Sequence, residues 1–347
     1  MVLFALDLGN KQVKIKSDKT EKVLPGYFVE ASQYGNRDLL KFTKGEKDAR
    51  DYESPNDKGF TYVWGKDLDV DMVEQVTDAS GFGLARYTSR EFQLLADFAL
   101  AELAREYEES KSNLVVNVVT GLPTGDFSNK KITEAVAKVL KGAHIVTIDG
   151  EQVAVTVNKL WILPQPLGTV LDYISDESGT VVNHELDEAN IGIVDVGGGT
   201  LLIDALKKMN LVEDKRDQLS RGSYTLYKSI LKQLREDDHT LDEYELEQII
   251  RNASDDKYLW SPDGIQKIDI GYAIKEQSKL YTRSVTSAVK ATYKGFGRMQ
   301  KILVTGGTAN LLDDEEFKKD ISIAQIVEES ELANVRGFYK YGLNKGE

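Results

Sequence analysis

The chain has 347 residues, 41% hydrophobic and 29% charged, the composition of an ordinary soluble globular protein long enough for two domains. It has no cysteine, which excludes disulfides, thiol chemistry and thiolate metal sites, and His144, His184 and His239 are too scattered for a zinc spacing. A net charge of −13 argues against a general DNA binder, no apolar run approaches a membrane span, and "MVLFALDLGN" lacks the basic flank of a signal peptide, so the expected location is the cytoplasm.

The first element is a hairpin. In "VLFALDLGNKQVKIK" an apolar run ends in Asp7, then Leu8 and Gly9, and a polar turn leads into alternation with Val13 and Ile15 on one face and Gln12, Lys14 and Lys16 on the other. Residues 20–80 are polar and poorly periodic, with "FTKGEKDARDYESPNDKG" reading as a loop and "FTYVWGKDL" as a strand. A helix follows over 88–107, opened by a capping box of Thr88 and Glu91 and burying Phe92, Leu95, Phe98, Ala99 and Leu103. "VVNVVTGLPTGDF" (115–127) is a strand ending in Thr120-Gly121-Leu122-Pro123, and "HIVTIDGEQVAVTV" is a hairpin turning at Asp149-Gly150. "LPQPLGTVLDYI" (163–174) starts a helix at Gln165, and "DESGTVVNHELDEAN" (176–190) is a polar, acidic connection.

"IGIVDVGGGTLLIDAL" (191–206) repeats the first device. Asp195-Val196-Gly197 stands 188 residues after Asp7-Leu8-Gly9, and two such hairpins imply a duplicated architecture. Gly197, Gly198, Gly199 and Thr200 fit neither a P-loop, which needs a lysine here, nor a dinucleotide fingerprint, which opens a helix; Leu201, Leu202 and Ile203 read as a strand. A plain tight hairpin is one reading. The other is an anion cradle, in which glycines adopt the φ values that aim successive N–H groups at one ligand. Two helices follow, split near Asp237-Asp238, and "KILVTGGTANLL" (301–312) runs a strand into Gly306-Gly307-Thr308 and then a helix. Alternating strands and helices in both halves make the class α/β.

The order hairpin with Asp, hairpin with Asp, strand with Gly-Gly resembles the actin-like ATPase superfamily. T-G-L-P at 120–123, "LARYTSREF" (84–92) and "ELANVRGFYKYG" (331–342) are similar to plasmid-segregation actins of the ParM type. The resemblance implies an actin-like, ribonuclease H-like duplicated two-domain fold with a nucleotide cleft between the domains. Domain I would span 1–180, with an insertion at about 20–80 and a returning segment at 321–347; domain II would span 190–320. ATP, with GTP as an alternative, and Mg²⁺ are the implied ligands. Gly9, Asn10, Lys11 and Lys14 would contact phosphate from one side and Gly197, Gly198, Gly199 and Thr200 from the other, while Gly306, Gly307 and Thr308 border the nucleoside. Asp7 and Asp195 would hold Mg²⁺ through water, and Gln165 would orient the attacking water. The implied partners are further copies of the chain in a head-to-tail filament and a DNA-binding adaptor at a centromere-like plasmid site, with no direct DNA or membrane binding. A membrane-associated scaffold filament of the MreB type and a small-molecule kinase on the same fold are the rival readings.

Overall fold

Val2–Leu8 (β1) is apolar at every position but Asp7, and all of it beyond Val2 is buried, as suits a strand covered on both faces. Gln12–Lys16 (β2) returns antiparallel to it with Val13 and Ile15 inward, and Glu21–Pro25 (β3) continues the meander. The computed structural model describes residues 1–34, 48–66, 68, 75–237, 239–253 and 257–345. These fall into two compact units, Met1–His184 with Leu332–Glu347, and Glu185–Glu331.

The first unit is built on one ten-stranded sheet. Tyr27–Glu30 (β4), Ala49–Glu53 (β5), Tyr62–Gly65 (β6), Thr77–Asp78 (β7), Leu114–Leu122 (β8), Gly142–Ile148 (β9) and Glu151–Pro164 (β10) join the meander in the order β3-β2-β1-β8-β10-β9-β5-β6-β4-β7. β1, β8 and β10 are parallel neighbours. The long β10 also pairs antiparallel with β9 across Asp149 and Gly150, whose φ of 49° and 86° give the tight turn expected of Asp-Gly. Helices Gly83–Tyr87 (α1), Arg90–Ala104 (α2), Thr124–Phe127 (α3), Lys130–Leu140 (α4) and Gln165–Ile174 (α5) complete this part of the chain.

Phe92, Leu95, Phe98, Ala99 and Leu103 of α2 are all buried in one core with Phe4, Leu6, Val116 and Val118. On the other face Leu3, Ala5, Val119 and Leu163 meet Val335 and Phe338 of the C-terminal helix, Ala333–Lys345. That helix lies in backbone contact with α5, where a Cβ on Gly337 would collide with the Gly168 carbonyl. Thr169 Oγ1 donates to Asn334 Oδ1 at 2.7 Å, and Lys340 Nζ donates to the Asp172 and Ser175 carbonyls at 3.1 and 3.0 Å, satisfying the C-terminal end of α5.

The second unit repeats the plan on a smaller scale. Asn190–Val196 (β11), Leu201–Lys207 (β12), Asn210–Leu211 (β13), Asp217–Leu219 (β14), Lys301–Thr305 and Ala324–Ile326 form a six-stranded sheet. Between β14 and the last two strands lie Ser223–Glu236 (α6), Glu243–Arg251 (α7), the two-stranded ribbon Leu259–Trp260 (β15) with Ile268–Asp269 (β16), and Gly271–Tyr293 (α8). Lys301–Thr305 is then β17, Asp314–Asp320 is α9 and Ala324–Ile326 is β18. The order β13-β12-β11-β17-β18 reproduces β3-β2-β1-β8-β10, two antiparallel strands leading to three parallel ones.

Four details depart from the sequence reading. The chain returns to the first unit at Leu332 rather than near 321, because β18 pairs with β17 and keeps 324–326 in the second. β5 occupies the middle of the predicted loop 42–59, and the strand expected at 60–68 is confined to Tyr62–Gly65; residues 42–47 and Asp67 lie outside the described residues, as does Asp238. The helix after Gly306-Gly307-Thr308 is only a 3-10 turn, Ala309–Leu311, and α9 begins later behind the Asp313 cap. The cap of α2 is Ser89, which accepts from the Phe92 amide, because Thr88 is engaged with the Leu84 carbonyl at the end of α1.

Candidate functional site

The carboxyl ends of parallel strands are where an open α/β sheet presents its ligands. At that edge of the first unit Asp7 ends β1, Thr120-Gly121-Leu122 ends β8, and Gln165 opens α5 directly after β10. Adjacent strands lie about 4.8 Å apart, so two strand spacings separate the Asp7 and Gln165 positions. Lys14 stands opposite Asp7 in the ladder. Asp7 is buried, whereas Gly9, Asn10, Lys11, Lys14 and Gln165 are half-buried.

The turn after Asp7 is held from behind. A Cβ on Gly9 would sit 2.7 Å from the Gln12 carbonyl, so the hairpin closes only around glycine, and the Lys14 ammonium folds to 3.8 Å from that same point. The Gly26 amide donates to the Lys11 carbonyl at 2.8 Å, the Gly81 amide to Asn10 Oδ1 at 3.2 Å, and Arg86 Nη2 to the Leu8 carbonyl at 2.7 Å. Thr120 Oγ1 donates to the Leu6 carbonyl at 2.9 Å, fastening the end of β8 to β1.

The second turn has the same outline and different fastenings. Asp195 is buried near the end of β11, opposite Leu202 on one side and Thr305 on the other. The Gly197 amide closes the turn on the Thr200 carbonyl at 2.9 Å. The Gly197 and Gly198 carbonyls accept from the first two amides of α6, Ser223 at 3.0 Å and Tyr224 at 3.1 Å. Thr308 adds its hydroxyl to the Gly197 carbonyl at 3.1 Å and its amide to the Val196 carbonyl at 3.0 Å. Every carbonyl from Val196 to Gly198 therefore points into protein. Within the described residues no acceptor meets the amides of Gly198, Gly199 or Thr200. A peptide that has spent its carbonyls and kept its N–H groups presents partial positive charge to a ligand.

Gly306 lies against the Asp195 carboxylate. Its φ is +95°, and a Cβ there would collide with Asp195 Oδ1. Ser330 secures this third turn, accepting from the Gly306 amide at 3.1 Å and donating its hydroxyl to the Gly306 carbonyl at 3.0 Å. Asp195, Gly197–Thr200 and Gly306–Thr308 thus meet at one edge of the second unit. The expected role of the other glycines needs correction: Gly9, Gly197, Gly198 and Gly199 all avoid the left-handed region. At Gly9 the requirement is bulk, and in the second turn amide direction comes from the groups that hold the carbonyls.

Gly222, Gly26, Gly81 and Arg86 are supports that the sequence reading missed. Gly222 has the clearest reason, since a Cβ there would collide with the Gly197 and Gly198 carbonyls. An isolated glycine just before a helical pattern is the signal that could have exposed it. Among the described residues no group of three or more His, Cys, Asp or Glu side chains could hold a metal directly. One carboxylate per turn still fits Mg²⁺, which keeps most of its water and takes its remaining oxygens from substrate phosphates.

Residues 5–168 match the family of actin-like proteins over its N-terminal domain, and residues 190–331 match the Alp7A C-terminal domain. The chain is an actin-like protein. The apo pSK41 ParM structure is 24% identical with a TM-score of 0.76, covering 98% of this chain and 96% of its own. The Alp12 filament structure is 15% identical with a TM-score of 0.67, covering 99% and 98%. ParM of Bacillus thuringiensis with ATP is 16% identical with a TM-score of 0.70, covering 99% of both chains. At these identities the likeness establishes the two-domain α/β actin-like fold. No curated protein matches the chain by sequence. No helix among the described residues is long and apolar enough to cross a membrane.

Proposed function

We propose that this actin-like protein binds and hydrolyses a nucleoside triphosphate, ATP in the first instance and GTP as the alternative, and polymerises with copies of itself to move plasmid DNA through a DNA-binding adaptor. The observation that carries the nucleotide reading is the second turn, where the carbonyls from Val196 to Gly198 are held by protein while the Gly198, Gly199 and Thr200 amides meet no acceptor within the described residues, beside a buried Asp195. A relative of the same fold with ATP and another as a filament support the two halves of the proposal. The net charge of −13 favours an adaptor over direct DNA contact.

In this reading the second-turn amides and the Lys14 ammonium bind phosphate oxygens, and Gly306–Thr308 borders the nucleoside. Asp7 and Asp195 would hold Mg²⁺ through water, and the ion would neutralise charge on the phosphate oxygens. Gln165 orients a water for in-line attack on the γ-phosphorus as the bond to the β-phosphate oxygen breaks. Its amide is not a base, so its contribution is positioning.

The test pairs phosphate release with light scattering after Mg-ATP is added. Wild type should scatter more only when nucleotide is present and lose that signal as phosphate appears. Gln165→Ala should bind ATP normally and release phosphate about a hundredfold more slowly, the scale of loss when an attacking group is misplaced. Phosphate release with flat scattering at every protein concentration would remove the filament from the proposal.

A further inference from the structure

We infer that Arg86 is a positioning residue for phosphate at the first turn, supplying a buried positive charge where the second turn has only a neutral amide. The inference rests on the phosphate-binding reading above and adds a residue to it.

Arg86 is 7% exposed. Nη2 donates to the Leu8 carbonyl at 2.7 Å and Nε to the Ala79 carbonyl at 3.2 Å, and the guanidinium lies 5.2 and 5.1 Å from the ring centroids of Tyr87 and Phe92. Among the described residues no carboxylate forms an ion pair with it. The neighbouring Asp126 is taken instead by the Tyr87 hydroxyl at 2.8 Å. Burial pushes that phenol far above its ordinary range; the Arg86 charge pulls it back and the Asp126 charge adds to the rise, and the net shift keeps it a donor.

The equivalent position in the second unit gives the contrast. Leu8 follows Asp7 as Val196 follows Asp195, and the Val196 carbonyl is held by the Thr308 amide. A neutral donor is therefore enough to hold that carbonyl. A buried guanidinium without a paired carboxylate is a costly substitute unless its charge is used. Asp7, one residue away, already has Lys14 opposite it in the ladder.

Arg86 also completes a circuit around the turn. From Leu8 the bonds run through Arg86 to the Ala79 carbonyl, from the Ala79 amide to the Gly26 carbonyl at 3.4 Å, and from the Gly26 amide back to the Lys11 carbonyl. Both ends of the turn are thus tied to one charged side chain.

Titration calorimetry with Mg-ATP, Mg-ADP and adenosine tests this on wild type, Arg86→Met and Arg86→Lys. Methionine preserves apolar bulk beside Tyr87 and Phe92 but removes the charge. Arg86→Met should weaken ATP about tenfold, ADP less, and adenosine under about twofold, because a charge effect grows with the charge of the ligand. Arg86→Lys, which keeps the charge but not both guanidinium bonds, should weaken ATP less than Arg86→Met does. An equal loss for all three ligands in Arg86→Met, or no loss, overturns the inference. If Arg86→Met does not fold, Arg86→Lys decides, since a tenfold or greater loss of ATP with the charge retained is incompatible with the role. Wild type that binds neither ATP nor ADP overturns the phosphate-binding reading and this inference together; wild type that binds both beside a flat Arg86→Met profile overturns only this one.

Discussion

The two Asp-x-Gly turns share a backbone plan and differ in what secures it. In the first unit the supports include charged or side-chain groups: Arg86 on Leu8, Asn10 accepting from Gly81, and Lys14 folded over Gly9. In the second they are mostly main chain, with two amides from the start of α6 and one from Thr308. The ladder partner differs in the same sense, Lys14 opposite Asp7 but Leu202 opposite Asp195. On the proposed phosphate-binding reading, the duplicated hairpin has one turn that would attract anions with full charges and another that would do so with oriented peptide dipoles.

If that division is right, the second turn should be most sensitive to shape. Gly222→Ala forces a methyl into the Gly197 and Gly198 carbonyls and should destabilise the protein by about 3 kcal/mol or more, the range for strain and overpacking at a buried backbone contact. Gly199→Ala, which meets nothing within 4 Å, should stay within about 0.5 kcal/mol. Thermal unfolding of the pair checks both, and equal losses would mean that the α6 contact is not what holds the turn.

The first turn should instead be sensitive to charge. Lys14→Met should weaken Mg-ATP about tenfold, as loss of a charge-assisted contact does, with little change in unfolding temperature because the side chain is only half-buried. A calorimetric affinity equal to wild type would break the comparison. The smallest expected effect is at Thr308. Thr308→Val removes the hydroxyl bond to the Gly197 carbonyl and keeps the amide bond to Val196, so it should cost about 1 kcal/mol in denaturant unfolding.

Both hairpins were readable because their signal is local. An apolar strand, a carboxylate, a glycine and renewed alternation occur within fifteen residues, and two copies in one chain made the duplication visible. Asp195, Gly197–Thr200 and Gly306–Thr308 fall together because β11 and β17 are parallel neighbours, a pairing that the alternation of strands and helices did not specify. β5 was hidden because "ARDYE" buries only Ala49 and Tyr52, too few apolar positions to outweigh the polar residues around it. Arg86 lies within "LARYTSREF", but its role left no trace in the sequence. Its importance depends on Leu8, 78 residues away, and on the lack of a carboxylate partner, and neither is a property of local pattern.

The split of the first unit sets an order of assembly. Leu332–Glu347 are translated after all of Glu185–Glu331, so the second unit exists as a complete segment while the first still lacks its last helix. Until Val335 and Phe338 arrive, the Leu3, Ala5, Val119 and Leu163 face of the large sheet has no apolar cover from that helix. On a ribosome, the half of the molecule that begins first is therefore the half that closes last.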